Sequence, residues 1–158
     1  VQRVSGMIAP YARGFDVIDI PELCQRNLSA LLPQDEKGVA MLTLSDRFAQ
    51  LVLTRAGVLY LTRRIETSDV SALALELQRS LDYYESHYDQ SAITHLVLAP
   101  GDDRAATLAA GLRNETSLHI ELFDIARLFE IDPGASVDTS WGCLMALGAA
   151  LRNDRPKA

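Results

Sequence analysis

The sequence predicts an α/β domain built on a mixed β-sheet, and three observations predict it. Residues 37–66 hold three apolar runs of strand length (37–45, 48–55 and 58–66) joined by very short connections. A helix over 68–90 follows, with Val70, Leu73, Leu77, Leu81, Tyr84 and Tyr88 spaced by three, four, four, three and four residues. Two more apolar runs, 93–98 and 118–123, then alternate with helical segments. A three-stranded antiparallel meander followed by helix-linked strands closes into one mixed sheet of five or six strands.

Size and composition fit that class. With 158 residues the chain is one domain with short appendages: a lead-in over 1–14, a domain over 15–152 and a frayed tail over 153–158. A chain of this length buries roughly 70% of its unfolded surface and needs no staples. The hydrophobic fraction of 48% and charged fraction of 23% are those of a soluble globular protein. A formal net charge of -6 argues against nucleic acid or an anionic membrane as partner. No run of 18 apolar residues is present, so no membrane insertion is expected, and no signal peptide is recognisable. Cys24 and Cys143 lie in apolar helical contexts and are expected to be buried free thiols.

The elements follow in order. Residues 4–13 are a short helix or a loose lead-in, since Pro10 and Gly6 oppose a longer helix. Residues 15–20 are expected to form a short strand that runs into a helix over 21–32. Pro21 suits its first turn, Asp19 with Glu22 has capping-box spacing, and Cys24, Leu28 and Leu31 form its inner stripe. Residues 34–36 are expected to be a solvated loop. In the meander, Ala56-Gly57 suits a tight hairpin because Gly accepts positive φ. Gln50, Thr54, Thr62 and Arg64 give the outer strands a wetter face. Thr67 or Ser68 caps the long helix, and Asp69 favours its dipole. After the strand at 93–98 comes a helix over 103–113 with Ala105, Leu108, Ala109 and Leu112 inward. The strand at 118–123, a turn or two of helix at 125–129 and a loop at Pro133-Gly134 follow. The last helix, 141–152, carries Gly142, Ala146, Gly148, Ala149 and Ala150, whose small side chains allow close packing.

This element order is that of a ribonuclease H-like domain, which actin-like ATPases carry twice. At the level of residues, Val17-Ile18-Asp19-Ile20-Pro21-Glu22-Leu23 with Arg26-Asn27 resembles the strand-to-helix entry of MshI-type proteins of mannose-sensitive haemagglutinin (MSHA) pilus biogenesis. These are relatives of PilM, the actin-like cytoplasmic component of type IV pilus assembly. Gly57-Val58-Leu59-Tyr60-Leu61-Thr62-Arg63 resembles that family's Arg-terminated strand. Leu77-Gln78-Arg79-Ser80-Leu81-Asp82-Tyr83-Tyr84 resembles its long helix, and 146–152 its last. The resemblance implies a C-terminal half whose first actin-like half is absent, which agrees with a start at Val1 rather than Met. It implies a noncatalytic scaffold, cytoplasmic and peripheral to the inner membrane. Its expected partner is the cytoplasmic tail of a bitopic inner-membrane assembly protein, with room for a homodimer. The alternative is an ATP-binding protein or ATPase whose other half supplies the main phosphate loop.

The same resemblance locates the candidate nucleotide contacts. Ser45, Asp46 and Arg47 correspond to a phosphate hairpin, which needs Asp for metal-bound water and Gly so that amides can approach phosphate. Asp46 is there, but the turn has no Gly. Gly101 and Asp102 correspond to the adenine-side loop, where one Gly remains and Asp102 with Asp103 suits a helix cap. No cofactor is therefore expected, with ATP and magnesium reserved for the alternative. A ribonuclease H-like nuclease would need clustered carboxylates, and the 39–44 strand has none. His87, His95 and His119 have no metal-ligand spacing, and each reads as a surface or satisfied core histidine. No nucleophile elbow is present. Trp141 and the Tyr83-Tyr84 pair read as packing residues.

Overall fold

Strand β1 (Val39–Leu44) lies at the centre of the sheet, and all six of its residues are buried. A strand covered on both faces has to be apolar almost throughout, which is why its sequence runs on without alternation. β1 pairs antiparallel with β2 (Ala49–Arg55), Leu42 opposite Leu51. On its other side it pairs parallel with β4 (His95–Ala99), Leu42 opposite Leu98. β3 (Val58–Ile65) and β5 (His119–Leu122) form the edges, giving a five-stranded sheet in the order β3-β2-β1-β4-β5. Two layers of helix cover it. α2 (Val70–Tyr88) and α3 (Asp103–Glu115) cover one face, over Leu42, Leu53, Leu77, Tyr84, Leu96 and Leu112. α1 (Pro21–Ser29) and α4 (Trp141–Ala150) cover the other, over Met41, Val52, Val97 and Phe123. An antiparallel meander followed by two parallel strands, with helices on both faces, is the mixed-sheet arrangement expected of a ribonuclease H-like domain.

The computed structural model describes residues 17–67, 69–100, 102–132 and 139–152. The expectations for the 1–14 lead-in, Phe15 and Asp16, Ser68, Gly101, the Pro133-Gly134 loop and the 153–158 tail lie outside those residues.

Most sequence-level expectations hold. The Ala56-Gly57 turn has positive φ at both residues, 48° and 72°. Both values suit the mirror-image turns that follow strand twist. The inner stripe of α2 is buried at Leu73, Leu77, Leu81 and Tyr84. One residue of β3, Tyr60, is left out of the pairing with β2, where Leu53 faces Leu61 and Thr54 faces Leu59. This bulge sets the Tyr60 ring edge-on to Tyr84 and Tyr88, and the Tyr88 hydroxyl donates to the Tyr60 carbonyl at 2.8 Å.

Several expectations are corrected. Residues 17–20 form no strand, and Val17, Ile18 and Ile20 are exposed. Asp19 instead pairs with Arg152 at 3.4 Å. The N-cap of α1 is Ile20, with no side-chain cap, because Asp19 lies one residue too early: its Oδ1 accepts from the Ile20 amide and from no amide inside the helix. α1 ends at Ser29, so Leu31 falls beyond it and is exposed. The inner face of α1 is instead largely polar. Gln25 Nε2 donates to the carbonyls of Met41 and Gln50 at 2.8 and 2.9 Å, and Ser29 Oγ meets Thr54 Oγ1 at 2.8 Å. This explains Gln50 and Thr54, which are buried and not wet: β2 is the middle strand of the meander and α1 lies over it. Asp35 is likewise buried. Its carboxylate accepts from Thr54 Oγ1 at 2.7 Å and from the Gly57 amide at 2.6 Å, so it anchors the hairpin. The cap of α2 is Asp69, whose carboxylate accepts from the Ala72 amide, while Thr67 Oγ1 accepts from the Asp69 amide. Cys24 is buried, and burial pushes its thiol pKa up, with help from Asp19. Cys143 is exposed, on the outward side of α4; neither cysteine is disulfide-bonded.

Candidate functional site

β1 and β4 run parallel, so their C-terminal ends, Leu44 and Ala99, open on the same rim of the sheet. In open α/β sheets this rim is where ligands bind. It brings together the two segments singled out in the sequence, the Ser45-Asp46-Arg47 turn after β1 and the Asp102 segment before α3. Arg104, in the first turn of α3, ties them. Its guanidinium donates to the Ser45 carbonyl at 3.2 Å and lies 3.7 Å from the Asp46 carboxylate. Gly101 lies outside the described residues.

Two clefts flank the turn. One, of about 710 Å³, has an apolar floor of Leu44, Val70, Leu73 and Leu108, with Arg47 and Arg104 on its rim. The other, of about 600 Å³, lies between Asp46, Pro100, Arg104 and Trp141 at the start of α4. Phe48 closes the turn between them. Its ring meets Trp141 edge-on at 5.3 Å and lies 3.8 Å beneath the Arg64 guanidinium. Trp141, half-buried, packs on Phe48 and also lines the second cleft. Among the Tyr83-Tyr84 pair only Tyr84 is buried; Tyr83 is exposed and stacks on His87 at 4.8 Å.

The hydrogen bonds of the turn determine its chemistry. The Ser45 amide and hydroxyl both donate to the Phe48 carbonyl, each at 2.9 Å. The same hydroxyl oxygen accepts from the Arg47 amide at 3.3 Å and the Phe48 amide at 3.1 Å. Two of the amides that a phosphate hairpin would offer to a ligand, those of Arg47 and Phe48, are therefore turned inward onto Ser45. At the second segment, Asp102 Oδ1 accepts from the Ala105 amide at 2.8 Å and caps α3, so a carboxylate already holds that helix N-terminus. The Asp46 side chain is fully exposed. Among the described residues no group of three or more His, Cys, Asp or Glu is placed to hold a metal ion.

Sequence reasoning missed Arg104 at this rim. It lies one residue into α3 after two acidic residues, and nothing in its spacing marks it. It also treated His95 and His119 as unrelated, whereas their rings stand 5.2 Å apart across β4 and β5. No helix among the described residues is long and apolar enough to cross a membrane.

No protein-family model matches the chain, and no curated protein matches it by sequence. Among solved structures, a chain of the PilM–PilN type IV pilus biogenesis complex is similar over 86% of this chain and 53% of its own length, with a TM-score of 0.57 and 14% identity. A Bacteroides thetaiotaomicron VPI-5482 protein of actin-like ATPase fold and unknown function is similar over 65% of this chain and 38% of its own, with a TM-score of 0.46 and 12% identity. The chain thus spans about half the length of the first of these and less of the second. At 14% identity the likeness to the first establishes the fold alone.

Proposed function

We propose that this chain is a noncatalytic scaffold of type IV pilus biogenesis, of the MSHA type, that works at the cytoplasmic face of the inner membrane. The observation that carries the noncatalytic reading is the Ser45 hydroxyl, which occupies the Arg47 and Phe48 amides of its own turn. Phosphate recognition in this fold depends on backbone amides aimed into an open turn, and on a free helix N-terminus. Here Ser45 takes the first and Asp102 the second. Arg47 and Arg104 remain as cationic groups on the rim. An exposed arginine adds about 1 kcal/mol after screening, against roughly 8 kcal/mol for micromolar affinity.

The pilus role is supported by the likeness to a chain of the PilM–PilN complex, together with the four sequence stretches that resemble MshI-type proteins. The partner in this reading is the cytoplasmic tail of a bitopic inner-membrane assembly protein. The groove that the resemblance implies lies mostly in a companion half, so this chain alone binds the tail weakly or not at all. A second reading, an actin-like ATP-binding protein, draws on the two clefts at the sheet rim.

Calorimetry with magnesium-ATP, run on this chain and on Asp46→Ala, separates the two. The scaffold reading expects no heat of binding and no hydrolysis from either protein. Micromolar binding that Asp46→Ala abolishes overturns it in favour of the ATPase. Titration of the tail peptide against this chain and against a form carrying both halves tests the partner. Binding confined to the two-half form is expected, and failure of both forms to bind removes the docking role.

A further inference from the structure

The rim opposite the clefts carries a pair of imidazoles. His95 and His119 begin β4 and β5, and they are register partners in adjacent parallel strands. In-register residues of such strands project from the same face. Further along the same rows, Val97, Ala99 and Phe123 enter the core beneath α1 and α4. At the strand starts that face is open: His95 is half-buried and His119 exposed. The ring centroids are 5.2 Å apart, with 32° between the planes. Thr94 Oγ1 lies 3.1 Å from His95 Nδ1, so this nitrogen is engaged and Nε2 is left as the ligating atom.

Two imidazoles on one tetrahedral ion, at metal–nitrogen distances of about 2.1 Å, place their centroids roughly 5 Å apart. The observed centroid separation of 5.2 Å matches that spacing, and rotation of the two side chains turns Nε2 of each ring toward a shared ion. We propose that His95 and His119 form a two-imidazole site for a borderline divalent transition-metal ion of the copper, nickel or zinc class. Imidazole suits these ions, whereas magnesium and calcium take oxygen ligands. Glu121 continues the row on β5, where its Oε2 accepts from Gln34 Nε2 at 3.2 Å. Among the described residues no third His, Cys, Asp or Glu is grouped with the pair, so the site has two protein ligands, and water completes the coordination. It is independent of the pilus reading and of the clefts.

The test uses the whole chain at neutral pH, titrated calorimetrically with Cu²⁺, Ni²⁺, Zn²⁺ and Mg²⁺. The expected result is one ion per chain, copper bound tightest and magnesium not bound. His95→Ala and His119→Ala should each weaken copper binding at least tenfold. His87→Ala, which removes the ring stacked on Tyr83, should leave it unchanged. Electron paramagnetic resonance of the copper-loaded native chain should show two imidazole nitrogens, independently of how any variant folds. A one-nitrogen spectrum, or unchanged affinity in either single variant, overturns the site.

Discussion

Gly148 and Gly142 lie in the same helix, α4, and the same substitution should act on them in opposite directions. A Cβ built on Gly148 would stand 2.6 Å from the Cys24 carbonyl carbon and 2.9 Å from its Cα, both backbone atoms of α1. Backbone cannot swing aside as a side-chain tip can, so Gly148→Ala has to push α1 and α4 apart. Overpacking of this kind costs about 1–3 kcal/mol. Separation also threatens the hydrogen bond from Asn27 Nδ2 to the Gly148 carbonyl, at 2.8 Å, worth about 1 kcal/mol. Against this, Ala gains about 1 kcal/mol over Gly in helix propensity. The net expectation is a loss of about 1–3 kcal/mol, or a fall of roughly 2–10 °C in Tm for a chain of this size. At Gly142 nothing lies within 4 Å of the added Cβ, so only the propensity gain remains, up to about 1 kcal/mol. Urea denaturation of the native chain and both variants reads the two signs directly. A Gly148→Ala protein as stable as Gly142→Ala would refute the close crossing of α1 and α4.

Two further expectations follow from burial. Leu77 is 1% exposed beneath the middle of α2, so Leu77→Asp places an unpaired carboxylate in the core and should cost about 4 kcal/mol by urea titration. An effect under about 1 kcal/mol would mean that this face of α2 is not buried. Of the two cysteines, only exposed Cys143 should react with a thiol reagent in the native state, while Cys24, buried and with its pKa raised by desolvation, should react only on unfolding. Mass spectrometry of the native chain after brief alkylation checks this, and label at Cys24 would contradict its placement under α4.

The sequence expressed the sheet well because the sheet is governed by periodicity and turn chemistry. β1 is apolar throughout because it is covered twice, and Ala56-Gly57 marks its own hairpin. The long helix is legible for the same reason, since Leu73, Leu77, Leu81 and Tyr84 recur at helical spacing. What failed was polar burial. Gln50, Thr54 and Asp35 look like solvent-facing residues when each is read beside its neighbours in sequence. They are buried because each finds a partner on another element: Thr54 meets Ser29 of α1 and donates to Asp35, Asp35 also accepts from the Gly57 amide, and the Gln50 side-chain amide donates to Thr62 of β3 while Gln25 of α1 donates to the Gln50 carbonyl. A hydrogen bond between elements leaves no periodic trace, so a polar residue with a distant partner reads as exposed.

The candidate site divides along the same line. That the Ser45 turn lacks Gly was visible in the sequence, but the missing Gly alone leaves the turn amides open to a ligand. What turns them inward is the Ser45 hydroxyl, which donates to one backbone group of the turn and accepts from two others. That residue looks permissive, since serine is common in phosphate loops. Its effect depends on a side-chain direction that only the folded turn fixes. The same is true of His95 and His119, which stand side by side only because β4 and β5 are adjacent, parallel and in register. At the cleft rim the fold has brought the expected residues together and used their polar groups on itself. At the opposite rim it has brought together two residues that the sequence kept apart, one half-buried and one exposed.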